Sequence, residues 1–124
     1  VLEVIAEAAQ PRPRMLEAVD RIREAGLRVG VITNNWVSKD AGWSSLAGRF
    51  DAFVESAVER IRKPDPRIYR IACERLGVVP DECVFLDDIG SNLKPARAMG
   101  MTTIKVSDPD EALAELSEVL GFDV

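Results

Sequence analysis

Asp87-Asp88, Thr33-Asn34 and Lys63 are the side chains of this 124-residue chain that point to chemistry. The two aspartates are adjacent and close the apolar run 83–86. Like charges side by side repel each other and resist desolvation. A hard cation such as Mg²⁺, which takes oxygen ligands and keeps several waters, offsets that cost. On spacing alone the pair also reads as a helix-capping aspartate beside a solvated one. Thr33-Asn34 follows the apolar run 29–32 in the same way. A hydroxyl, an amide and freed backbone N–H groups there can hold phosphoryl oxygens, or can simply close an Asx or Ser/Thr turn. Lys63 precedes Pro64-Asp65-Pro66, whose prolines stiffen the backbone. Its ammonium is either aimed at oxygens in transfer or is one more charge of the run Arg60-Ile61-Arg62-Lys63 on a solvated face.

These residues need a scaffold, and the apolar spacing supplies one. Residues 13–25 carry Met15, Leu16, Val19, Ile22 and Ala25 at helical spacing, with Gly26 where a C-terminal cap belongs. Residues 27–32 read as a short buried strand, 41–49 as an ambiguous short helix and 52–56 as a second strand. Residues 66–76 place Ile68, Ile71, Ala72 and Leu76 on one helical face and stop at Gly77. The clearest strand is 83–88. A helix over 91–99 follows, with Pro95 tolerated only in its first turn. Residues 102–106 are β-branched, and 108–120 open like a capping box, with Asp108 three residues before Glu111. Alternating strands and helices joined by short connections predict parallel βαβ units and a helix-flanked sheet. Such sheets bind ligands beyond the carboxyl ends of their strands, where Thr33, Asn34, Asp87 and Asp88 stand.

The order of the motifs is more specific than any one of them. A strand ending in Thr-Asn, then Lys-Pro-Asp-Pro-x-Ile-Tyr, then Phe-Leu-Asp-Asp-Ile-Gly-Ser-Asn resembles motifs II, III and IV of the haloacid dehalogenase superfamily. The stretch FLDDIGSNLKPARAMGMTTIKV is especially similar to the group containing the phosphatase-like domain of soluble epoxide hydrolase. The resemblance runs from about Arg12 to Gly121 and implies an α/β, Rossmann-like parallel sheet with helices on both faces. It further implies that Thr33 binds a phosphoryl oxygen, with Asn34 shaping the substrate pocket beside it. Lys63 would steady nucleophile and phosphoryl group, Asp88 would ligate Mg²⁺ with Asp87 in support, and Asn92 would line the same site. The family reaction is attack by an aspartate on a phosphoester, then hydrolysis of the aspartyl-phosphate.

The chain departs from that pattern at its start. The family nucleophile sits in an Asp-x-Asp strand, and VLEVIAEAAQ contains no aspartate. Asp108-Pro109-Asp110 is no substitute, because Pro109 lacks the N–H a phosphate cradle would use and the segment opens a helix. Arg60 is a second departure, since relatives commonly have glycine three residues before the lysine. The expectation is a partial core over residues 12–124, with 1–11 the tail of a missing cap, and a hydrolase inactive on its own. The alternative is a non-catalytic binding or dimerisation module. In the family sheet the nucleophile strand lies between the strands ending at Thr33 and Asp87. Its loss would leave two open edges that could pair directly with each other or be filled by residues 1–6, a second copy or an N-terminal segment, and self-association or completion by a partner is the favoured expectation.

Composition narrows the rest. With 16 basic and 21 acidic residues the net charge is −5, which argues against a nucleic-acid partner. Histidine is absent, which excludes Ser-His-Asp and Cys-His pairs and His-liganded zinc. No apolar run approaches the roughly 18 residues of a membrane span, and no segment resembles a secretory signal. Cys73 and Cys83 lack Cys-x-x-Cys spacing and read as small buried hydrophobes in a reducing, cytoplasmic setting. A receiver domain of a response regulator also uses acidic residues, Thr and Lys around Mg²⁺. There the acidic pair comes first and the lysine last, whereas here the order is Thr33, Lys63, Asp87-Asp88.

Overall fold

The computed structural model describes residues 3–6, 13–33, 48 and 50–124, with residues 3–6 described as backbone. Asn34 and most of the helix expected over 41–49 lie outside the described residues. Strand β1 (Glu3–Ala6) is followed by helix α1 (Pro13–Glu24), β2 (Val29–Thr33), β3 (Ala52–Glu55) and a short helix α2 (Ser56–Glu59). Then come α3 (Pro66–Leu76), β4 (Cys83–Asp87), α4 (Gly90–Ala98), β5 (Thr102–Lys105) and α5 (Pro109–Leu120). The five strands form one sheet in the order β3-β2-β1-β4-β5, and every pairing is parallel. This is the doubly wound order, whose direction reverses between β1 and β4, where such sheets bind ligands.

Each face of the sheet has its own core, because side chains alternate along a strand. On β4, Cys83 and Phe85 join Ile68, Tyr69, Ala72 and Cys73 of α3, with Leu93 and Ala96 of α4, on one face. Val84 and Leu86 join Ala18, Val19 and Ile22 of α1 and Leu113 and Leu116 of α5 on the other. All five residues of β4 are buried, as a strand covered on both faces requires. Gly30 of β2 sits under α3, and a Cβ there would stand 3.2 Å from Leu76 Cδ1, so any larger residue would push that side chain by a few tenths of an ångström.

Helix ends follow local chemistry. Asp65 N-caps α3 by accepting from the Arg67 backbone N–H at 3.0 Å, and Gly77 ends it at φ 72°. Asp108 accepts from the Glu111 N–H at 3.1 Å, and Gly121 ends α5 at φ 85°. Two expectations are corrected. Pro95 lies in the second turn of α4, because that helix starts at Gly90, directly after the acidic pair. Its first turn is tightly wound, with the Asn92 N–H donating to the Ile89 carbonyl at 3.0 Å. Residues 3–6, read as the tail of a cap, form the central strand instead. Val4, Ile5 and Ala6 pair with Val29, Gly30 and Val31 on one side and with Val84, Phe85 and Leu86 on the other. The slot between β2 and β4 is therefore filled from within the chain, so the open edges that motivated a partner are closed.

A central strand with ladders on both sides has protected amides, and proline there removes a donor and breaks the pairing. We predict slow hydrogen exchange at Val4, Ile5 and Ala6, and a loss on the order of 2 kcal/mol or more for Ile5→Pro in urea unfolding. Fast exchange at all three, with Ile5→Pro neutral, would refute the assignment.

Candidate functional site

The carboxyl ends of β2 and β4 carry Thr33 and Asp87, both fully buried, on either side of β1. Two strand spacings separate β2 from β4, roughly 10 Å, about the span of a phosphate with its ligands on both sides. Asp87 follows the alternation of Cys83 and Phe85 and so faces α3 and α4. There it meets Lys63, three residues ahead of α3, with Nζ 2.7 Å from Asp87 Oδ2. The two side chains are 1% and 0% exposed, so this ion pair lies inside the protein.

A buried carboxylate is tolerated only when its lone pairs are occupied. Asp87 Oδ2 also accepts from Asn92 Nδ2 at 3.3 Å, and Oδ1 accepts from the Ile89 backbone N–H at 2.8 Å. The Asp87 carbonyl accepts from the Val106 N–H at 2.9 Å, which ties the loop after β5 to the same point. Asn92 is itself positioned, since the Tyr69 hydroxyl donates to its carbonyl at 2.5 Å. Tyr69 packs on Phe85 with ring centroids 5.2 Å apart, and the Lys63 ammonium lies 5.8 Å from the centre of the Phe85 ring. Lys63 is thus fixed by a carboxylate ahead and an aromatic face beneath.

Asp88 is exposed at the mouth of this arrangement and makes no hydrogen bond or ion pair with a described residue. The adjacent carboxylates therefore differ. Asp87 is neutralised inside the fold, whereas Asp88 keeps an open carboxylate at the sheet edge. That donor set fits a hard cation held by Asp88 and its own waters, with Asp87 behind it. Among the described residues no group of three or more His, Cys, Asp or Glu side chains is clustered for a metal.

The approach to Lys63 explains the departure at Arg60. Arg60 ends α2 in the left-handed region, at φ 60° and ψ 26°, where its N–H donates to the Ser56 carbonyl at 2.8 Å. Glycine adopts that conformation without cost, so this arginine carries on the order of 1 kcal/mol of backbone strain. Beyond Lys63, the Arg67 guanidinium pairs with Asp65 at 2.8 Å and holds that carboxyl down at about 2. The α3 cap thus stays ionised until the pH falls toward that value.

The structure brings Lys63, Asp87 and Asn92 into direct contact and puts Thr33 and Asp88 at the same sheet edge. Sequence reasoning missed Tyr69, Phe85 and the Ile89 N–H. Tyr69 was within reach, as it ends the Lys-Pro-Asp-Pro-x-Ile-Tyr motif, but its task depends on a contact with residue 92.

A parallel sheet in this order, with a lysine–aspartate pair and an open carboxylate beyond its central strands, defines a Rossmann-like α/β protein with a charged site at its sheet edge. Comparison with known proteins places it. Residues 1–100 match the family model for haloacid dehalogenase-like hydrolases, and the chain belongs to that family. It is 46% identical over 112 residues to acyl-CoA dehydrogenase family member 10 of Mus musculus, covering 89% of this chain and 10% of that protein. It is 41% identical over 117 residues to bifunctional epoxide hydrolase 2 of Sus scrofa, covering 89% and 21%. Phosphatase MT3486 of Mycobacterium tuberculosis is 37% identical over 97 residues, covering 75% and 45%. The chain thus spans less than half the length of these relatives. A HAD phosphatase from Thermococcus onnurineus superposes with a TM-score of 0.78 at 24% identity, over 92% of this chain and 60% of that one. A HAD family enzyme of Bacteroides thetaiotaomicron, crystallised with magnesium and inorganic phosphate, gives 0.65 at 23%, over 81% and 57%. No described helix is long and apolar enough to cross a membrane.

Removing one partner of a buried ion pair strands the other. We expect Lys63→Met to cost about 3–5 kcal/mol in urea unfolding, and Lys63→Met/Asp87→Leu to be more stable than Lys63→Met alone. A cost below about 1 kcal/mol for Lys63→Met would mark the pair as solvated.

Proposed function

We propose that this chain carries the phosphate- and metal-binding half of a Mg²⁺-dependent phosphoester hydrolase and is close to inactive by itself. The observation that carries the proposal is the division of labour between Asp87 and Asp88. One carboxylate is buried on Lys63, and its neighbour is open to solvent at the same strand end. Magnesium and inorganic phosphate in the Bacteroides neighbour, and a phosphatase among the relatives, support the same direction.

In this reading Asp88 holds Mg²⁺, with Asp87 in support, and the cation draws negative charge off the phosphoryl oxygens when bound. The Lys63 ammonium, held by Asp87, faces the phosphoryl group as a fixed positive charge. Thr33 contributes its hydroxyl across the end of β1, with Asn34 beside it bordering a small phosphorylated substrate. Asn92 holds the Asp87 carboxylate in place through its amide N–H. The strand between Thr33 and Asp87 is EVIA, which has no aspartate. Charge stabilisation is provided for, and the attacking carboxylate is not.

The test is turnover of an aryl phosphate by the chain with and without Mg²⁺, together with Mg²⁺ binding by calorimetry. Turnover should be only residual, at most on the order of 10³–10⁴ over water, as in a hydrolase stripped of its catalytic triad. Mg²⁺ should bind, and its binding should be lost in Asp88→Asn. Sustained turnover by the chain, or Mg²⁺ binding unchanged in Asp88→Asn, would contradict the proposal.

A further inference from the structure

The alternation that aims Asp87 at Lys63 has a second consequence at the other end of β4. Cys83, Phe85 and Asp87 face α3 and its approach, where they meet Cys73, Tyr69 and Lys63 in turn. The helix runs back along the strand, so one packing arrangement makes an ion pair at the site end and a sulfur pair at the far end. The Cys73 and Cys83 sulfurs are 3.9 Å apart, and both residues are buried thiols. The gap to a disulfide bond length is about 2 Å. Cys83 Sγ also reaches the carbonyl of Val79 at 3.5 Å, and Val79 is exposed, so the pair lies one residue beneath the surface.

We propose that Cys73 and Cys83 are a dithiol that a hydroperoxide oxidises to an intramolecular disulfide, tying α3 to β4. The Cys73 thiolate attacks one peroxide oxygen, the O–O bond breaks, and the departing hydroxide takes the thiol proton and leaves as water. Cys83 Sγ then attacks the resulting sulfenic sulfur. The S–S bond forms, the S–O bond breaks, and the second hydroxide leaves with the Cys83 proton. Two thiols and one hydrogen peroxide give one disulfide and two waters, with two electrons passing from sulfur to peroxide. The hydrogen-bonded contact with Cys83 holds the Cys73 thiol below its ordinary value against the opposing effect of burial, which favours Cys73 as the attacking sulfur and Cys83 as the resolving one. Hydrogen peroxide is small and uncharged, which suits a target under one layer of side chains. The tie would join the far ends of the two segments that carry Lys63 and Asp87.

The test treats the reduced, full chain with stoichiometric hydrogen peroxide, then measures intact mass and maps peptides. The expected product is lighter by two hydrogens, contains a Cys73–Cys83 linked peptide, stays monomeric on a non-reducing gel and reverts with dithiothreitol. Cys83→Ser should accumulate a dimedone-trappable sulfenic acid at Cys73, whereas Cys73→Ser should leave Cys83 a thiol. If either variant fails to fold by circular dichroism, the wild-type peptide map alone decides. Survival of both thiols, sulfinic acid at Cys73 with Cys83 unchanged, or a disulfide between chains would overturn the proposal.

Discussion

The buried contact between Lys63 and Asp87 is the constraint on which the site depends. Moving two charges out of water costs several kcal/mol each, and their attraction offsets that only with good geometry and every other lone pair occupied. The surroundings of Asp87 meet those conditions one group at a time. Asn92 and the Ile89 N–H occupy two more of its acceptor sites, Tyr69 holds Asn92, and Phe85 lies beneath the ammonium. These groups come from three elements, so forming the pair fixes α3, β4 and the start of α4 together. A pair this enclosed is a poor device for stability alone, since apolar residues would pack there at less cost. Its geometry holds the Lys63 ammonium in one place at the sheet edge.

The sheet makes that placement possible. Parallel strands bring all their carboxyl ends to one edge, and the order β3-β2-β1-β4-β5 sets Thr33 and Asp87 two strands apart. Neutralising Asp87 also changes what its neighbour can do. With one carboxylate already matched inside the fold, Asp88 is free of like-charge repulsion at close range and can meet a cation from solvent. Alternation along β4 means that one face carries the ion pair, the aromatic contact and the sulfur pair through Asp87, Phe85 and Cys83.

Much of this was legible from local pattern. α3 and β4 read directly, because helical spacing closed by Gly77 and an apolar run closed by two aspartates are signals within ten or so residues. Asp108 as a cap for α5 read for the same reason. Two features were not legible because their causes are distant in sequence. Glu3–Ala6 has a composition that suits a helix tail or a strand, and only the edges of β2 and β4 decide between them. The burial of Lys63 contradicts its basic neighbours, and its partner lies 24 residues away. Pro95 in the second turn of α4 follows from where the chain must turn after Asp88, which no propensity encodes. The short helix Ser56–Glu59 has too few residues to show any period.

The most direct test of the account is an NMR titration of the chain with inorganic phosphate and Mg²⁺, added singly and together. The account predicts shifts confined to the sheet edge, at the backbone amides of Thr33, Lys63, Asp88 and Ile89. It also predicts that the Mg²⁺-dependent part is lost in Asp88→Asn and that phosphate binding is weakened in Lys63→Met. Shifts centred elsewhere, or an unchanged Mg²⁺ response in Asp88→Asn, would contradict the claim that the Lys63–Asp87 pair organises a phosphate and metal site.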